Sequence, residues 1–421
     1  MKKVFYGNII DGTGAPMREN GMIVIDNDRI EYVGDKYDYE LPQDTEKYDC
    51  SNAYIMPGLI EAHSHLAGYG SNNTLNWVIE PMPIKVCQIV HDMQALLDAG
   101  YTSVRDIGGY GALMRRAVDR GLVPGPRIYT SNAAISPTAG HADVWTDFPP
   151  QMLAEWEASH AVADGVEGCR KVVRTQFRNG ADFIKIMTTG GIMDTASNPN
   201  LAYFTHDEIA VCVEEAKRMG TYVATHAESD AGVYNAVMAG VKSIEHGYMT
   251  TDRTLEEMLK HGCWQVPTLS AMAVLLENVD TMIPVIAEKV RNVVPKAMES
   301  VARAREAGIP MACGADYLSV KGENEYGGKN CREMLEFTKV GFTPLETIHC
   351  ATYMGAVTMQ KEKELGTLEK GKIADLIVVV KNPLADISCM MDTKNTQIVM
   401  KGGEICKNIF DVSHAIYNIP A

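Results

Sequence analysis

The ten cysteines of this 421-residue chain include no CxxC pair and no dense framework of the kind that staples a small secreted fold. Cys50, Cys87, Cys169, Cys212, Cys263, Cys313, Cys331, Cys350, Cys389 and Cys406 are scattered, which fits reduced thiols in a cytoplasm. No apolar stretch approaches the roughly 20 residues needed to span a membrane. The N-terminal apolar run breaks at Gly7 and Asn8, before a signal-peptide core forms. Basic charge is also short: 39 Lys and Arg against 54 Asp and Glu leave a net charge of −15 with no basic stripe, so a nucleic-acid backbone is a poor partner. No GxGxxG fingerprint follows a candidate strand, and a dinucleotide site is unsupported. These absences leave the expectation of a cytoplasmic protein with a small-molecule partner and neither nucleic acid nor membrane to bind.

Apolar residues at 46% and charged residues at 22% are close to globular averages, and the length gives ample volume for a buried core. Residues 1–56 read as short strands separated by turns, at 4–10, 21–25 and 29–33. The tail has the same character, with strands at 375–380 and 396–400 and a tight turn at Lys401-Gly402-Gly403-Glu404. Two β-rich ends around a different middle predict a small β-sandwich domain assembled from residues 1–56 and 363–421. Between 57 and 362, short β-branched runs alternate with segments of helical period, the pattern of βα units on a parallel sheet. The candidate strands are 58–61, 103–106, 127–131, 183–187, 222–225, 243–245, 264–268 and 310–313. One amphipathic helix is expected at 209–219, with Thr205 and Glu208 spaced as a capping box at its start. Eight such units predict an α/β fold, a (β/α)8 TIM-like barrel.

In a barrel of this kind chemistry sits at the C-terminal ends of the strands. The polar residues there are His63-Ser64-His65 on the first strand, Lys185 on the fourth, His226 on the fifth, His246 on the sixth and Asp316 on the eighth. Alternation points residues i and i+2 the same way, so His63 and His65 can both reach one ion near the barrel axis. Imidazole and carboxylate donors suit zinc and similar divalent cations. A single histidine at a strand end is more often a hydrogen-bonded packing residue. Four of them with an aspartate, on four different strands, are hard to produce by chance. Lys185 lies in the apolar run Phe183-Ile184-Lys185-Ile186-Met187, where an unpaired ammonium is costly. Burial lowers an amine's pKa, and a neutral amine takes up carbon dioxide as a carbamate; the competing reading is an inward lysine paired with a carboxylate.

These residues, in Met56-Pro57-Gly58-Leu59-Ile60-Glu61-Ala62-His63-Ser64-His65, Phe183-Ile184-Lys185-Ile186, Ala224-Thr225-His226-Ala227, Ser243-Ile244-Glu245-His246-Gly247, Gly314-Ala315-Asp316 and the closing Gly371-Lys372-Ile373-Ala374-Asp375-Leu376, resemble the amidohydrolase superfamily. The resemblance is to its binuclear-metal branch with a carboxylated lysine. Ser103-Val104-Arg105-Asp106-Ile107-Gly108-Gly109 and Gly140-His141-Ala142-Asp143 are most similar to its Xaa-Pro dipeptidase-like and Xaa-Arg carboxypeptidase-like members, relatives of prolidases and imidazolonepropionases. The resemblance implies one cation on His63, His65 and Asp316, a second on His226 and His246, and carboxylated Lys185 with a hydroxide bridging the two. It further implies attack of that hydroxide on the amide of a dipeptide or N-acyl amino acid, with His141 polarising the carbonyl and Asp316 carrying the proton to the leaving amine. A cyclic-amide hydrolase of imidazolonepropionase type or a deaminase is the alternative within the superfamily, and Lys185 weighs against the deaminase. A metal-free scaffold is the non-enzyme alternative, disfavoured because all six ligand positions are filled. A homo-oligomer is expected by family analogy alone.

Specificity is expected in the loops at about 66–83, 141–159, 192–204 and 317–330. Relatives that cleave dipeptides often carry a tyrosine or arginine soon after the strand-5 histidine to hold the substrate carboxylate, whereas this chain has His226-Ala227-Glu228-Ser229-Asp230. Tyr234, one helical turn beyond Asp230, is the candidate replacement. The acids favour either a basic substrate side chain or, as the plainer reading, a helix N-terminus. Trp77 and Trp145 are candidate walls of an apolar pocket, although each is more often a packing residue.

Overall fold

The computed structural model describes residues 2–71, 73–143 and 161–410, so Trp145 and most of the 141–159 loop lie outside the described residues. The chain opens with β1 (Lys3–Ile9), β2 (Arg18–Asp26), β3 (Arg29–Asp35) and β4 (Glu46–Pro57). Alternation sends Phe5 and Ile9 to one face with Ile23, Ile25 and Ile55, and Val4 to the other with Met22 and Val24. Asn27, at φ +55°, turns β2 into β3 in the left-handed region that asparagine tolerates. At the end of β4, Gly58 passes the chain into the next sheet; a Cβ there would lie 2.2 Å from Thr102 Oγ1, so no larger residue fits.

β5 (Leu59–Ser64), β6 (Tyr101–Asp106) and β7 (Arg127–Thr130) pair in parallel. A second parallel sheet contains β8 (Ile135–Ser136), β9 (Ala161–Val162), β10 (Ile184–Met187), β11 (Val223–Ser229), β12 (Ser243–Met249) and β13 (Trp264–Val266). Its order is β13-β12-β11-β10-β8-β9. Helices come between the strands, among them Met82–Ala99, Gly165–Arg178, Asp230–Ala239 and Pro284–Glu306. The helix expected at 209–219 starts earlier and spans His206–Arg218, directly after the Thr205 cap. Both halves of the capping box form: Glu208 N donates to Thr205 Oγ1 at 3.4 Å, and Thr205 N donates to the Glu208 carboxylate at 2.8 Å.

The expected strand at 310–313 is not a regular strand. Pro310 has no N–H, Cys313 N donates to Cys350 O in the helix Pro344–Ala351, and Met311 makes an isolated parallel bridge to Gln265. The segment still joins the two parallel sheets. Ala312 N donates to Gln265 O of β13 at 3.0 Å, and Ala62 N of β5 donates to Cys313 O at 3.1 Å. On the other side, Asp182 N, just before β10, donates to Thr130 O of β7 at 2.7 Å. The short strands β8 and β9 are additions that periodicity did not reveal, because two residues are too few to show a period.

β14 (Leu376–Val379), β15 (Thr396–Lys401) and β16 (Glu404–Asn408) return to the terminal strands, giving one sheet in the order β16-β15-β14-β4-β1-β2-β3. Both ends of the chain therefore build one sheet. Its last hairpin turns on Gly402 and Gly403, at φ +59° and +77°, and a Cβ on Gly403 would lie 1.8 Å from Asn27 O. The ten cysteines are free, with Cys87 and Cys406 exposed and the others buried. No helix among the described residues is long and apolar enough to cross a membrane.

Arg127 of β7 ties the parallel strands to this sheet: its Nη1 lies 2.6 Å from one oxygen of the nearly buried Asp375, whose other oxygen accepts from Gly402 N at 2.7 Å. Asp375→Ala leaves the guanidinium without its partner, with an expected loss of about 2–3 kcal/mol in guanidinium unfolding. A loss below about 0.5 kcal/mol, the range of an ordinary surface change, would show that other contacts hold the junction.

Candidate metal centre and active site

Six residues singled out in the sequence lie on the parallel strands or on the 310–316 segment beside them. His63 ends one pleat of β5 and His65 follows it; Lys185, His226 and His246 belong to β10, β11 and β12. Asp316 follows the bridging segment, where its N–H donates to His63 O at 3.0 Å. One Asp316 oxygen lies 3.3 Å from His63 Nε2 and 3.0 Å from His65 Nε2, so the i, i+2 pair does converge. Ligand atoms of His63, His246 and Asp316 lie within 4.8 Å of one another. The His226 and His246 ring centroids are 4.5 Å apart.

Alternation would place Glu245 and His246 on opposite faces of β12, yet both reach this cluster. His246 has φ +73°, which breaks the pleat; Asp316 at +55° and Thr268 at +51° share that uncommon backbone region. Glu61 braces the arrangement from below. Its carboxylate accepts from His63 N at 3.0 Å, Ala315 N at 2.9 Å and Asn330 Nδ2 at 2.8 Å, locking β5 to the segment that carries Asp316. Burial pushes the Glu61 carboxyl up to about 7 against those three donors.

Each imidazole has one nitrogen committed to a protein group. His63 Nδ1 donates to Glu245 at 2.9 Å, His65 Nδ1 to Gly108 O at 3.0 Å, and His226 Nε2 to Gly190 O at 3.0 Å. His246 Nδ1 hydrogen-bonds Thr268 Oγ1 at 2.8 Å, with the Tyr248 hydroxyl 2.6 Å from the same oxygen. These bonds set the tautomers and turn His63 Nε2 and His65 Nε2 to Asp316, while His226 Nδ1 and His246 Nε2 have no protein hydrogen bond among the described residues. That is the donor pattern a divalent cation requires of histidine.

The electrostatics agree. Burial holds His226 and His246 well below the ordinary histidine range, in the neutral form that ligates metal. Burial opposes ionisation of Asp316, but His63 and His65 hold its carboxyl well below the usual range. Lys185 is 1% exposed, and burial lowers its amine to about 8 despite Glu245 and Asp316 nearby. Glu245 is also fully buried, yet Arg105 and then His63 keep it ionised; Arg105 Nη2 donates to both its oxygens at 2.6 Å. His141 stacks on His226 at 4.4 Å and its Nδ1 donates to Asp194 at 3.2 Å, with Asp194 held at about 2 against its burial by His141 and Ser197. Gly191 makes room for that ring, since a Cβ there would lie 2.2 Å from His141 Cε1.

Three expectations fare differently. Tyr234 is not brought to the cluster: its hydroxyl accepts from Arg253 at 2.8 Å on the neighbouring helix Asp252–Lys260, because its helical position faces that helix. Among Glu228, Ser229 and Asp230, the helix cap is Ser229, whose Oγ accepts from Gly232 N at 3.2 Å. Asp230 instead accepts from Thr251 N at 2.7 Å, and Glu228 is buried beside His226. Trp77 stacks on Tyr69 at 4.2 Å, and the Tyr69 ring lies 6.4 Å from His65, so this aromatic pair borders the site. Sequence reasoning missed Glu61, Arg105, Asp194, Glu245 and Thr268. A signal existed for Arg105 and Glu245, charged residues inside candidate strands, which needed partners as much as Lys185 did.

Imidazole and carboxylate donors gathered beside parallel strands, with their outer nitrogens fixed, define the class: an enzyme site suited to a divalent cation. The comparisons agree. The amidohydrolase family matches residues 54–406, and the chain belongs to that family. It is 33% identical over 425 residues to an ochratoxinase from Aspergillus niger, covering 96% of this chain and 86% of that protein. The crystal structure of the A. niger ochratoxinase superposes with a TM-score of 0.88 at 31% identity, over 97% of this chain and 96% of that one. A prolidase complexed with N-methylphosphonate-L-proline gives 0.87 at 32% identity, and a Xaa-Pro dipeptidase with bound methionine in its active site gives 0.87 at 28%; each covers 97% of this chain and 100% of its own. The protein is a hydrolase acting on carbon–nitrogen amide bonds.

Glu245→Gln keeps the shape of the side chain and removes the charge that orients His63. Chelator competition is expected to show zinc held roughly 10–100-fold more weakly than by the unaltered protein. Equal affinity in the two proteins would remove Glu245 from the support of the site.

Proposed function

We propose that the protein cleaves the amide bond of a dipeptide or N-acyl amino acid with two divalent cations held by His63, His65, Lys185, His226, His246 and Asp316. The observation that carries this reading is the convergence of His63 and His65 on one oxygen of Asp316, with His246 completing the cluster. The strands that carry these residues are read as one closed (β/α)8 barrel over residues 57–362, beside a β-sandwich from 1–56 and 363–421. The hydrogen bonds from Gln265 through 310–313 to Ala62, and from Asp182 to Thr130, support that closure.

Divalent cations, zinc among those the donors suit, would supply the Lewis acidity that makes water a nucleophile at neutral pH. The chain's own residues do the rest. Asp316, ionised and central, takes the proton lost by the attacking water and delivers it to the amide nitrogen, which leaves poorly unless protonated. In its doubly protonated form His141, oriented by Asp194 through Nδ1, donates from Nε2 to the oxygen of the scissile carbonyl as charge develops there. Lys185 at about 8 has a reachable neutral amine, which carbon dioxide converts to a carbamate with an anionic oxygen for the cations. Burial of the cluster excludes bulk water and strengthens each of these interactions.

The test is turnover by zinc-loaded protein with bicarbonate across dipeptides, N-acyl amino acids and cyclic amides, scoring released amine or acid. Hydrolysis of one class of linear amide is expected, and silence across all linear amides with metal bound would discard the substrate assignment. Asp316→Asn is expected to abolish turnover; near-normal kcat would remove the proton-carrying role. Lys185→Ala is expected to lose bound metal, and a full metal complement in that variant would contradict the carbamate.

A further inference from the structure

Glu228 has no part in the chemistry above. It follows His226 by two residues on β11, so its side chain leaves the same face, one pleat nearer the strand's C-terminal end. It is 3% exposed. Oε1 accepts from Ile192 N at 3.2 Å and lies 3.6 Å from His226 Nε2, whereas Oε2 is buried and has no hydrogen-bond partner among the described residues. A buried carboxylate oxygen without a donor is costly, and each such atom calls for an explanation. The nearby ammonium does not provide one: Lys289 Nζ donates to the carbonyls of Gly191, Asp194 and Ser197, which uses all three of its protons. Burial, with Asp316 and Asp194 nearby, raises the Glu228 carboxyl to about 8, so Oε2 lacks the partner that would hold it ionised. A cationic hydrogen-bond donor at Oε2 supplies the missing partner and stabilises the ionised form, which a free carboxylate beside these acids cannot do.

The geometry points to Glu228 Oε2 as the recognition point for a cationic nitrogen on the substrate, so that the enzyme selects small amides carrying an ammonium. This rests on the amide-hydrolase reading of the same site. The nitrogen has two sources, the α-ammonium of a dipeptide's first residue or a basic side chain, and both present the same N–H donors to the carboxylate.

Two matched substrate pairs separate the sources: glycyl-leucine against N-acetylglycyl-leucine, and N-acetylglycyl-lysine against N-acetylglycyl-norleucine. Metal-loaded protein is assayed unaltered and as Glu228→Gln and Glu228→Asp, with metal content measured in all three. Calorimetric binding of butylammonium against 1-butanol is measured alongside. The expected result is a preference of roughly tenfold or more in kcat/KM for the cationic member of one pair, which identifies the source. That ratio is expected to fall toward one in Glu228→Gln and to persist in part in Glu228→Asp, with metal retained. No cation preference in either pair, or a ratio that survives Glu228→Gln, overturns the assignment. So does metal loss in Glu228→Gln, which would make the residue a support for His226. If no amide is turned over, Glu228-dependent binding of butylammonium keeps the recognition and discards the amidase reading. Absence of that binding in the unaltered protein discards the recognition as well.

Discussion

A guanidinium and a carboxylate with no solvent exposure, Arg105 and Glu245, face each other at 2.6 Å within the parallel strands. Neither charge is tolerable there alone, since the effective penalty for burying an ion is several kcal/mol. The pair is held by further donors and acceptors: Arg105 Nε donates to Ala62 O at 2.6 Å and Nη1 to Ser243 Oγ at 2.9 Å. These contacts join β5, β6 and β12 through one side chain. The same Glu245 oxygen that meets Arg105 accepts from His63 Nδ1, so the charge balance of the interior also sets the histidine tautomer at the site. Stability and chemistry thus share one carboxylate.

Around that pair, the backbone departs from regular geometry where the site needs it to. The left-handed residue His246 lets two consecutive side chains of β12 face the cluster, and Asp316 arrives from a segment that is not a strand at all. Such conformations persist only where neighbours over-determine them. Glu61 supplies part of that constraint through its bonds to His63 N and Ala315 N. Thr268, itself left-handed, supplies another through His246 Nδ1.

The parallel strands were legible because strands buried on both faces read as short apolar runs, and β5 to β7 and β10 to β13 coincide with runs visible in the sequence. The segment at 310–313 reads the same way but cannot form a ladder, since Pro310 lacks a donor and Cys313 is drawn to Cys350. β4 was obscured because Glu46, Lys47, Asp49, Ser51 and Asn52 break its apolar pattern. Tyr234 illustrates the opposite error: its spacing from Asp230 was right for a helix, but spacing does not say which neighbour the helix face meets.

By itself the sequence determined the chemistry on offer: four histidines and an aspartate near the ends of buried apolar runs, and a lysine inside one. Those are local properties, set by residue type and by the two-residue period of a strand. Tertiary structure alone decided which nitrogen of each histidine faces the cluster, why Lys185 and Arg105 can be buried, and that Glu228 is left with an oxygen to offer. Each of these depends on a partner distant in the sequence, such as Glu245 for His63 or Lys289 for the 191–197 loop, and such pairings leave no period to read.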